Sequence, residues 1–570
     1  MNLSTDYKHY SKINGPVAAI DDLGRKLPGI EEVGPRREDR YVGMFYFVHK
    51  SDGNGIPINV SEVLNRTPEA ALDYDHPAWG EKESVYHWGE PLFGYYQTKD
   101  EWVIRRHIEM LSIADIDFLV FDTTNRITFR DHCKKILYIL NEYIQEGWKV
   151  PRVVYYTNTK SGETIQEIYE DIYQTGFCSD TWFYWEGKPL IIGLPWECSR
   201  EIQDFFTFRL SQWPTEPFKE GGFPWMAFER PQHVFRDKMG RAEVISVSVA
   251  QHPQIKFGDS AMYGETRNRG RTFHDGHCDE KPEALLWGFN FAEQWEYAIT
   301  QDPKIIFVTG WNEWTMGRYK GPKDRPVTFI DQANQEYSRD IEPMKGGHFD
   351  NYYMQLIDYV RRFKGTDPVL QAGPNKTINI RGTFKQWDDV GPVYYNMPFG
   401  TLKRNHTGYG GIVYNNVAGS NGVELLKLTR DDDNLYFFVQ TKYPIKKYSF
   451  QPWMRLFLHI EGDQRIGWKG YQYAVNLELI DSDFSILHES LGGWRWKHKG
   501  RVPLNTAGNQ MMLSVSRELL GLKGISDFEV HFKWVDGGIG DWTIEDFYLN
   551  GDTAPYGRVN YVYSVISNDR

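Results

Sequence analysis

Lys304-Ile-Ile-Phe-Val-Thr-Gly-Trp-Asn-Glu-Trp314 is a short apolar run that ends in two tryptophans flanking an amide and a carboxylate. A run of this length with no internal charge fits a β-strand covered on both faces. A glutamate at the carboxyl end of such a strand stands where parallel α/β barrels build their active sites. Tryptophan faces stack on sugar rings, and Asn312 and Glu313 can bind hydroxyls or move protons. The competing reading is a barrel strand that ends in a structural tryptophan pair.

The surrounding sequence alternates between strand and helix signals. Tyr41-Val-Gly-Met-Phe-Tyr-Phe-Val48 reads as the first strand. Residues 50–97 are rich in Gly, Pro, Asp, His and Trp, too long for an idle connection, and read as a functional loop. Thr98 and Glu101 form a capping-box pattern ahead of a helix. Strands are expected at 117–122, 152–157, 182–193 (two short ones), 225–229 and 244–250. Helices are expected at 132–148, 163–174, 199–212, 282–300 and 351–364. Repeated β-then-α units imply a parallel sheet with right-handed crossovers. Seven clear strands and one ambiguous one fit a (β/α)8 barrel. An open dinucleotide-binding sheet does not fit, because no Gly-x-Gly-x-x-Gly follows the first strand.

After Gly365 helical spacing stops and short alternating segments take over, as in Asn434-Leu-Tyr-Phe-Phe-Val-Gln440 and Phe528-Glu-Val-His-Phe-Lys533. This pattern predicts an antiparallel β-sandwich. The expected organisation is an N-terminal arm or cap over 1–38, a barrel over 39–368 and a sandwich over 369–570.

The 570 residues carry 65 Lys and Arg against 77 Asp and Glu, a formal charge of -12. That balance argues against nucleic acid as the main partner. No segment approaches the roughly 20 apolar residues of a membrane span. Aromatic residues make up 15% of the chain, a richness that suits carbohydrate-facing surfaces as well as large cores. The four cysteines form no Cys-x-x-Cys pair. No apolar signal region opens the sequence, so the expectation is a periplasmic or secreted protein whose leader is absent here, with a cytoplasmic one as the alternative.

Polar residues collect at the expected strand ends: Asp122 and Asn125, Tyr156 and Asn158, Glu229, Gln251 and His252, and Asn312 and Glu313. In a barrel these converge on one mouth, where paired carboxylates supply the acid and base of glycosidic cleavage. Glu313, Glu229 and Asp122 are the catalytic candidates. Trp311, Asn312, Trp314, Tyr156, Asn158, His252, Asn125 and Trp88 are the candidates for binding substrate. Each has a plainer reading: a loop cap for Asp122, a local ion pair with Arg230 for Glu229, a structural hydrogen bond for His252, core packing for the tryptophans. Arg267, Arg269 and Arg271 punctuate a Gly-rich loop that reads as solvated, or as a clamp for a sugar carboxylate. Walker-type, His-Glu-x-x-His and Gly-x-Ser-x-Gly motifs are all missing, so no metal or cofactor is expected in the barrel.

The first domain resembles the glycoside hydrolase family 99-like group. The resemblance rests on Gly-Met-Phe-Tyr46, Phe-Leu-Val-Phe-Asp122, Trp-Glu-Gly-Lys-Pro-Leu-Ile191 and Trp-Asn-Glu-Trp314, and covers roughly residues 40–365. It implies cleavage of glycosidic bonds in a polysaccharide or glycan. The family's mannosidases carry Glu-Trp-His-Glu and use both carboxylates. Here the run is Glu313-Trp-Thr-Met316, so the first carries over and the second is lost. The partner carboxylate must then come from elsewhere, with Glu229 preferred to Asp122. The alternatives are a non-catalytic glycan-binding protein, which the Met316 departure favours, and a polysaccharide lyase, which the arginine loop allows. The second domain resembles a family 9-like carbohydrate-binding module through Ile380-Arg-Gly-Thr-Phe-Lys-Gln-Trp-Asp-Asp389 and Thr429-Arg-Asp-Asp-Asp-Asn-Leu-Tyr-Phe437. Asp431, Asp432 and Asp433 offer oxygen ligands for calcium, and the simpler reading is a solvated acidic turn.

Overall fold

The computed structural model describes residues 10–48, 55–251, 263, 268–398, 402–416, 421–448, 452–463, 465, 467–538 and 543–566. The chain forms two compact units. One is built on Arg37–Gly365 with His406–Tyr414, the other on Lys12–Arg36, Thr366–Asn405 and Asn415–Arg570.

The first unit holds eight parallel strands: β1 Tyr41–Tyr46, β2 Phe118–Thr123, β3 Arg152–Thr157, β4 Lys188–Gly193, β5 Thr207–Gln212, β6 Gly222–Pro224, β7 Ala242–Ser248 and β8 Ile305–Thr309. Their order is β7-β8-β1-β2-β3-β4-β5-β6. The edge strands β6 and β7 approach within 8 Å between Cα atoms, so the sheet is a nearly closed barrel. Phe118, Val120, Val154, Leu190, Ile192, Ile305 and Phe307 fill its interior. Side chains alternate along a strand, so Asp122 follows Phe118 and Val120 on the inward face. Close packing shows at Gly43 in β1, where a Cβ would fall 2.4 Å from the Phe118 ring.

Two expected elements differ. The helix over 199–212 is only Arg200–Phe205, and Thr207–Gln212 is strand β5. Parallel pairing of Thr207–Leu210 with Leu190–Gly193 of β4 overrides the weak helical spacing. The expected strand at 225–229 is replaced by β6, three residues earlier. The outer helices relevant here are α1 Glu101–Ile113, α2 Arg130–Gln145, α3 Phe289–Gln301 and α4 Asn351–Lys364. Asp100, not Thr98, caps α1, its carboxylate accepting from Trp102 N at 3.2 Å. No helix among the described residues is long and apolar enough to cross a membrane.

Residues 55–97 are folded in their own right. The strands Pro57–Asn59, Val85–His87 and Thr315–Met316 make a small sheet. Its core contains Trp79, Tyr86, Trp88, Trp314, Met316 and Phe329.

The second unit contains β9 Val393–Tyr395, β10 Val423–Arg430, β11 Asn434–Thr441, β12 Arg455–Ile460, β13 Tyr473–Leu479, β14 Phe484–Ser490, β15 Trp496–Ala507, β16 Gln510–Ser516, β17 Phe528–Asp536, β18 Asp552–Ala554 and β19 Tyr561–Val565. All their pairings are antiparallel. The twelve-residue β15 pairs with β14 over its first part and with β16 over its last, linking two sheets. Leu428, Phe437, Leu456, Leu458, Val475, Leu513, Phe532 and Trp534 lie in the core between them. Each such fully buried large side chain contributes about 1.5–3 kcal/mol of transfer free energy. The bridge of Ala18 to Asn560 and the ion pair of Asp22 with Arg558 (3.1 Å) tie the 12–36 segment to this unit.

Candidate active site

The backbone after β8 is held from two sides. Trp311 N donates to Phe45 O at 3.0 Å, extending the contact with β1. On the other side Gly310 N donates to Arg339 O at 3.2 Å, and Glu342 N to Trp311 O at 3.0 Å. This pairing lays residues 339–342 alongside 310–313. It brings Arg339 and Asp340 to Glu313.

Glu313 is 7% exposed. Its Oε2 accepts from the Arg339 guanidinium and from Gln332 Nε2 at 3.3 Å. Its own N–H donates to Asp340 Oδ1 at 2.8 Å, and Gln332 Nε2 donates to Asp340 Oδ2 at 2.8 Å. Asp340 therefore uses both oxygens as acceptors. Arg339 also lies over the Trp225 ring, 4.9 Å from its centroid.

Four acids, the buried Asp122, Glu313 and Asp340 and the half-buried Asp331, all feel the charge of Arg339. Burial pushes the Glu313 carboxyl up to about 8; the Arg339 charge opposes this, and the charges of Asp331 and Asp340 add to it. Burial raises Asp340 to about 6 against the Glu313 N–H and the charges of Arg339 and Arg271. Burial likewise raises Asp331, opposed by Arg339. It raises Asp122 against the Thr124 N–H (2.9 Å to Oδ1), and the Asp331 charge adds to the rise. Burial works against the charge on Arg339, but Glu313, Asp331 and Asp340 outweigh it and hold the guanidinium protonated. Arg339, with Arg271 acting on Asp340, is outnumbered by these carboxyls, and burial raises all four, so the cluster favours keeping a proton. With both Asp340 oxygens accepting N–H groups, Glu313 is the natural holder. Asp331 sits at φ +64°, a left-handed conformation uncommon for residues other than glycine. Strain of this kind gathers at functional sites.

Behind the cluster lies a different carboxylate. Glu342 Oε2 accepts from Tyr96 OH at 2.7 Å and Trp314 Nε1 at 2.6 Å, and Oε1 lies 3.0 Å from His107 Nε2. His107 Nδ1 in turn meets Tyr46 OH at 2.8 Å. These bonds fix Trp314, which stacks on Trp88 with centroids 4.1 Å apart and planes at 14°. Trp88 Nε1 donates to Glu313 O at 3.2 Å. The two tryptophans thus brace the backbone that presents Glu313.

The sequence candidates meet different fates. Asp122 joins Glu313 in the cluster. Glu229 lies at the surface, its side chain 69% exposed, and its partner among the described residues is His233 at 2.6 Å. It stands five residues beyond β6, in a segment with no barrel-strand pairing to turn it inward. Trp311 is fully buried, edge-on to His107 and Tyr353. Asn312 clamps Phe47, accepting from its N–H at 2.8 Å and donating to its carbonyl at 3.1 Å. Trp314 and Trp88 form the stacked pair. Tyr156 OH donates to Phe223 O at 2.8 Å and accepts from Gln212 N at 3.0 Å, joining β3 to β5 and β6 inside the barrel. Asn158 accepts from Ser211 Oγ at 3.1 Å, and Asn125 is exposed. His252 and Arg267 lie outside the described residues.

Arg271 is fully buried, not solvated. It donates to Gln335 O, Ser338 Oγ and Asp340 O at 2.7–2.9 Å and packs on the Tyr352 ring. Its work is to anchor the loop that carries Arg339 and Asp340.

Asp331, Gln332, Arg339, Asp340 and Glu342 were absent from the sequence candidates. They fall in an irregular stretch between β8 and α4, where acidic and basic residues read as ordinary surface. The signal that could have found them was the length of that stretch on the catalytic face. Trp213 was also missed; it is half-buried just after β5 and stacks on Trp225 at 4.6 Å.

No family model and no curated protein matches the chain. Among solved structures, the GH99 endo-alpha-mannosidase from Bacteroides thetaiotaomicron in complex with bis-tris-propane is similar, at 15% identity and a TM-score of 0.34, covering 57% of this chain and 97% of that one. A glycoside hydrolase-like protein is similar at 11% identity and a TM-score of 0.30, covering 58% and 99%. At these scores neither comparison bears on the chemistry, which rests on the site itself.

Proposed function

We propose that the barrel is a glycoside hydrolase acting on a polysaccharide or glycan. The observation that carries this reading is the cluster of the buried Glu313 and Asp122 and the half-buried Asp331 near Arg339 at the carboxyl end of the strands. Glycosidic cleavage needs one carboxyl that arrives protonated and one that arrives ionised. Glu313, raised by burial and by its acidic neighbours, serves as the acid that protonates the leaving oxygen. Asp122 serves as the second carboxyl; the Thr124 N–H on its Oδ1 and the Arg339 charge favour its ionised form against the burial that raises it. Asp331 keeps the proton on Glu313. Trp213, stacked on Trp225 beside Arg339, offers an aromatic face to a sugar ring. The reading requires no metal or cofactor in the barrel.

The test is a screen of plant, algal and host glycans for release of reducing ends, followed by Glu313→Gln on whichever substrate responds. Loss of about 10²–10⁴-fold in kcat is expected for a general acid. Turnover within a few-fold of the parent protein would overturn the assignment.

A non-catalytic glycan-binding protein is the second reading. It is favoured by Met316, which stands where the similar mannosidases carry their second carboxylate and is buried in the apolar cluster of Trp79 and Phe329. Calorimetric binding of a glycan without any released product would support it.

A further inference from the structure

The outer face of the sandwich carries a second cluster, independent of the barrel. In β12 Leu456, Leu458 and Ile460 point into the core, so His459 faces outward. In β17 Val530, Phe532 and Trp534 point inward, so His531 faces outward too. The register sets His459 directly opposite His531. One step further, Glu461 N donates to Glu529 O at 3.1 Å, which puts the two glutamates side by side. The sequences His459-Ile-Glu461 and Glu529-Val-His531 therefore meet as a square, imidazole against imidazole and carboxylate against carboxylate.

Like groups placed opposite each other on a sheet repel unless a cation lies among them. Lys26 Nζ meets Glu461 Oε1 at 2.6 Å and supplies part of that charge. It leaves Oε2, which lies 3.1 Å from His459 Nε2. His459 Nδ1 lies 2.7 Å from Gly470 O. A carbonyl can only accept, so Nδ1 at this distance donates to Gly470 O; Gln472 Nε2, which donates to Arg465 O at 3.0 Å, lies 3.1 Å from the same nitrogen. That leaves Nε2 directed at Glu461 Oε2, so an imidazole nitrogen and a carboxylate oxygen converge on one point. A backbone carbonyl fixing the remote nitrogen is also how metal-binding imidazoles are oriented. Glu529 Oε1 holds the His531 ring in the same way, 2.7 Å from Nε2. The rings lie 4.9 Å apart at 22°. One ligand atom from each of His459, Glu461 and His531 falls within 4.8 Å of the others. Zinc at 2.0–2.2 Å from nitrogen and oxygen ligands needs ligand atoms about 3.3 Å apart, a small side-chain adjustment from these positions.

We propose that His459, Glu461 and His531 form a site for a divalent first-row transition ion, with Glu529 orienting His531. Two imidazoles and one carboxylate suit zinc and its neighbours better than calcium or magnesium, which prefer oxygen ligands alone. The imidazoles are buried and Glu461 is exposed, so an ion can enter from solvent. The test is calorimetric titration of the full chain, without a polyhistidine tag, with zinc chloride, and with calcium chloride as the control. The expected result is saturable one-to-one binding of zinc, no binding of calcium, and visible d–d bands when cobalt(II) replaces zinc. His459→Ala and His531→Ala should each weaken zinc binding by at least about tenfold, with far-UV circular dichroism unchanged in chelator. Should either histidine variant fail to fold, Glu461→Gln carries the same expectation. Absence of saturable zinc binding by the parent protein, or equal binding by the His459→Ala/His531→Ala double variant, would overturn the proposal.

Discussion

The two ends of the barrel handle charge in opposite ways. At the amino ends of the strands, Asp117, Asp302 and Glu243 are each paired with a lysine or arginine. Asp117, just before β2, receives Lys364 Nζ at 2.8 and 2.9 Å. Asp302 takes Arg40 and Arg37, and Glu243 in β7 takes Arg209 at 2.6 and 2.8 Å. At the carboxyl ends, Asp122, Glu313, Asp331 and Asp340 all feel the charge of Arg339. The matched end stabilises the fold. At the unmatched end burial raises the carboxyls, at a cost in stability for every one that ionises.

The sharpest way to break this contrast is Glu313→Gln. Activity is expected to fall by about 10²–10⁴-fold in kcat, read as reducing-end release. Stability should move the other way. The Glu313 carboxyl binds its proton more tightly folded than unfolded, so its stabilising contribution is complete below the ordinary glutamate range and is lost as pH rises toward about 8. Urea unfolding at pH 5 and pH 8 should therefore show the variant gaining on the parent protein at the higher pH. A variant that loses ground on the parent protein as pH rises would contradict the charge excess.

Lys364→Ala tests the other end. It leaves the half-buried Asp117 without its cation and should cost about 1–3 kcal/mol in urea unfolding. The pH dependence of turnover should not change. Asp331→Asn sharpens the comparison at the mouth. Removing its negative charge lowers the Glu313 pKa, so the alkaline limb of the kcat/KM profile should move about one unit toward acid. The smallest effect is expected from Glu229→Gln. Its carboxylate is exposed beside His233, and kcat should change by less than about twofold.

Much of the barrel was legible because strand and helix periods alternate in the sequence, and Ile305–Thr309 is apolar enough to announce a buried strand. Strand β5 was hidden because it follows the helix Arg200–Phe205 with only Phe206 between them and no turn residue to mark the change. Glu313 could be picked out by its place at a strand end. Its companions could not, because Arg339 and Asp340 reach it through backbone pairing of 339–342 with 310–311, a long-range contact with no local periodicity, and Asp331 lies in the irregular stretch before them. Asn312 and Tyr156 were misleading for a related reason. Their residue types suit sugars, yet their polar atoms are spent on Phe47 and Phe223 within the protein.

Strand β15 has a consequence for how the second unit comes apart. Its leading residues complete one sheet and its trailing residues the other, so peeling either layer tears the edge of its neighbour. Amides on β12 and β11, though in separate sheets, should accordingly exchange with deuterium at one shared rate, as parts of a single opening event.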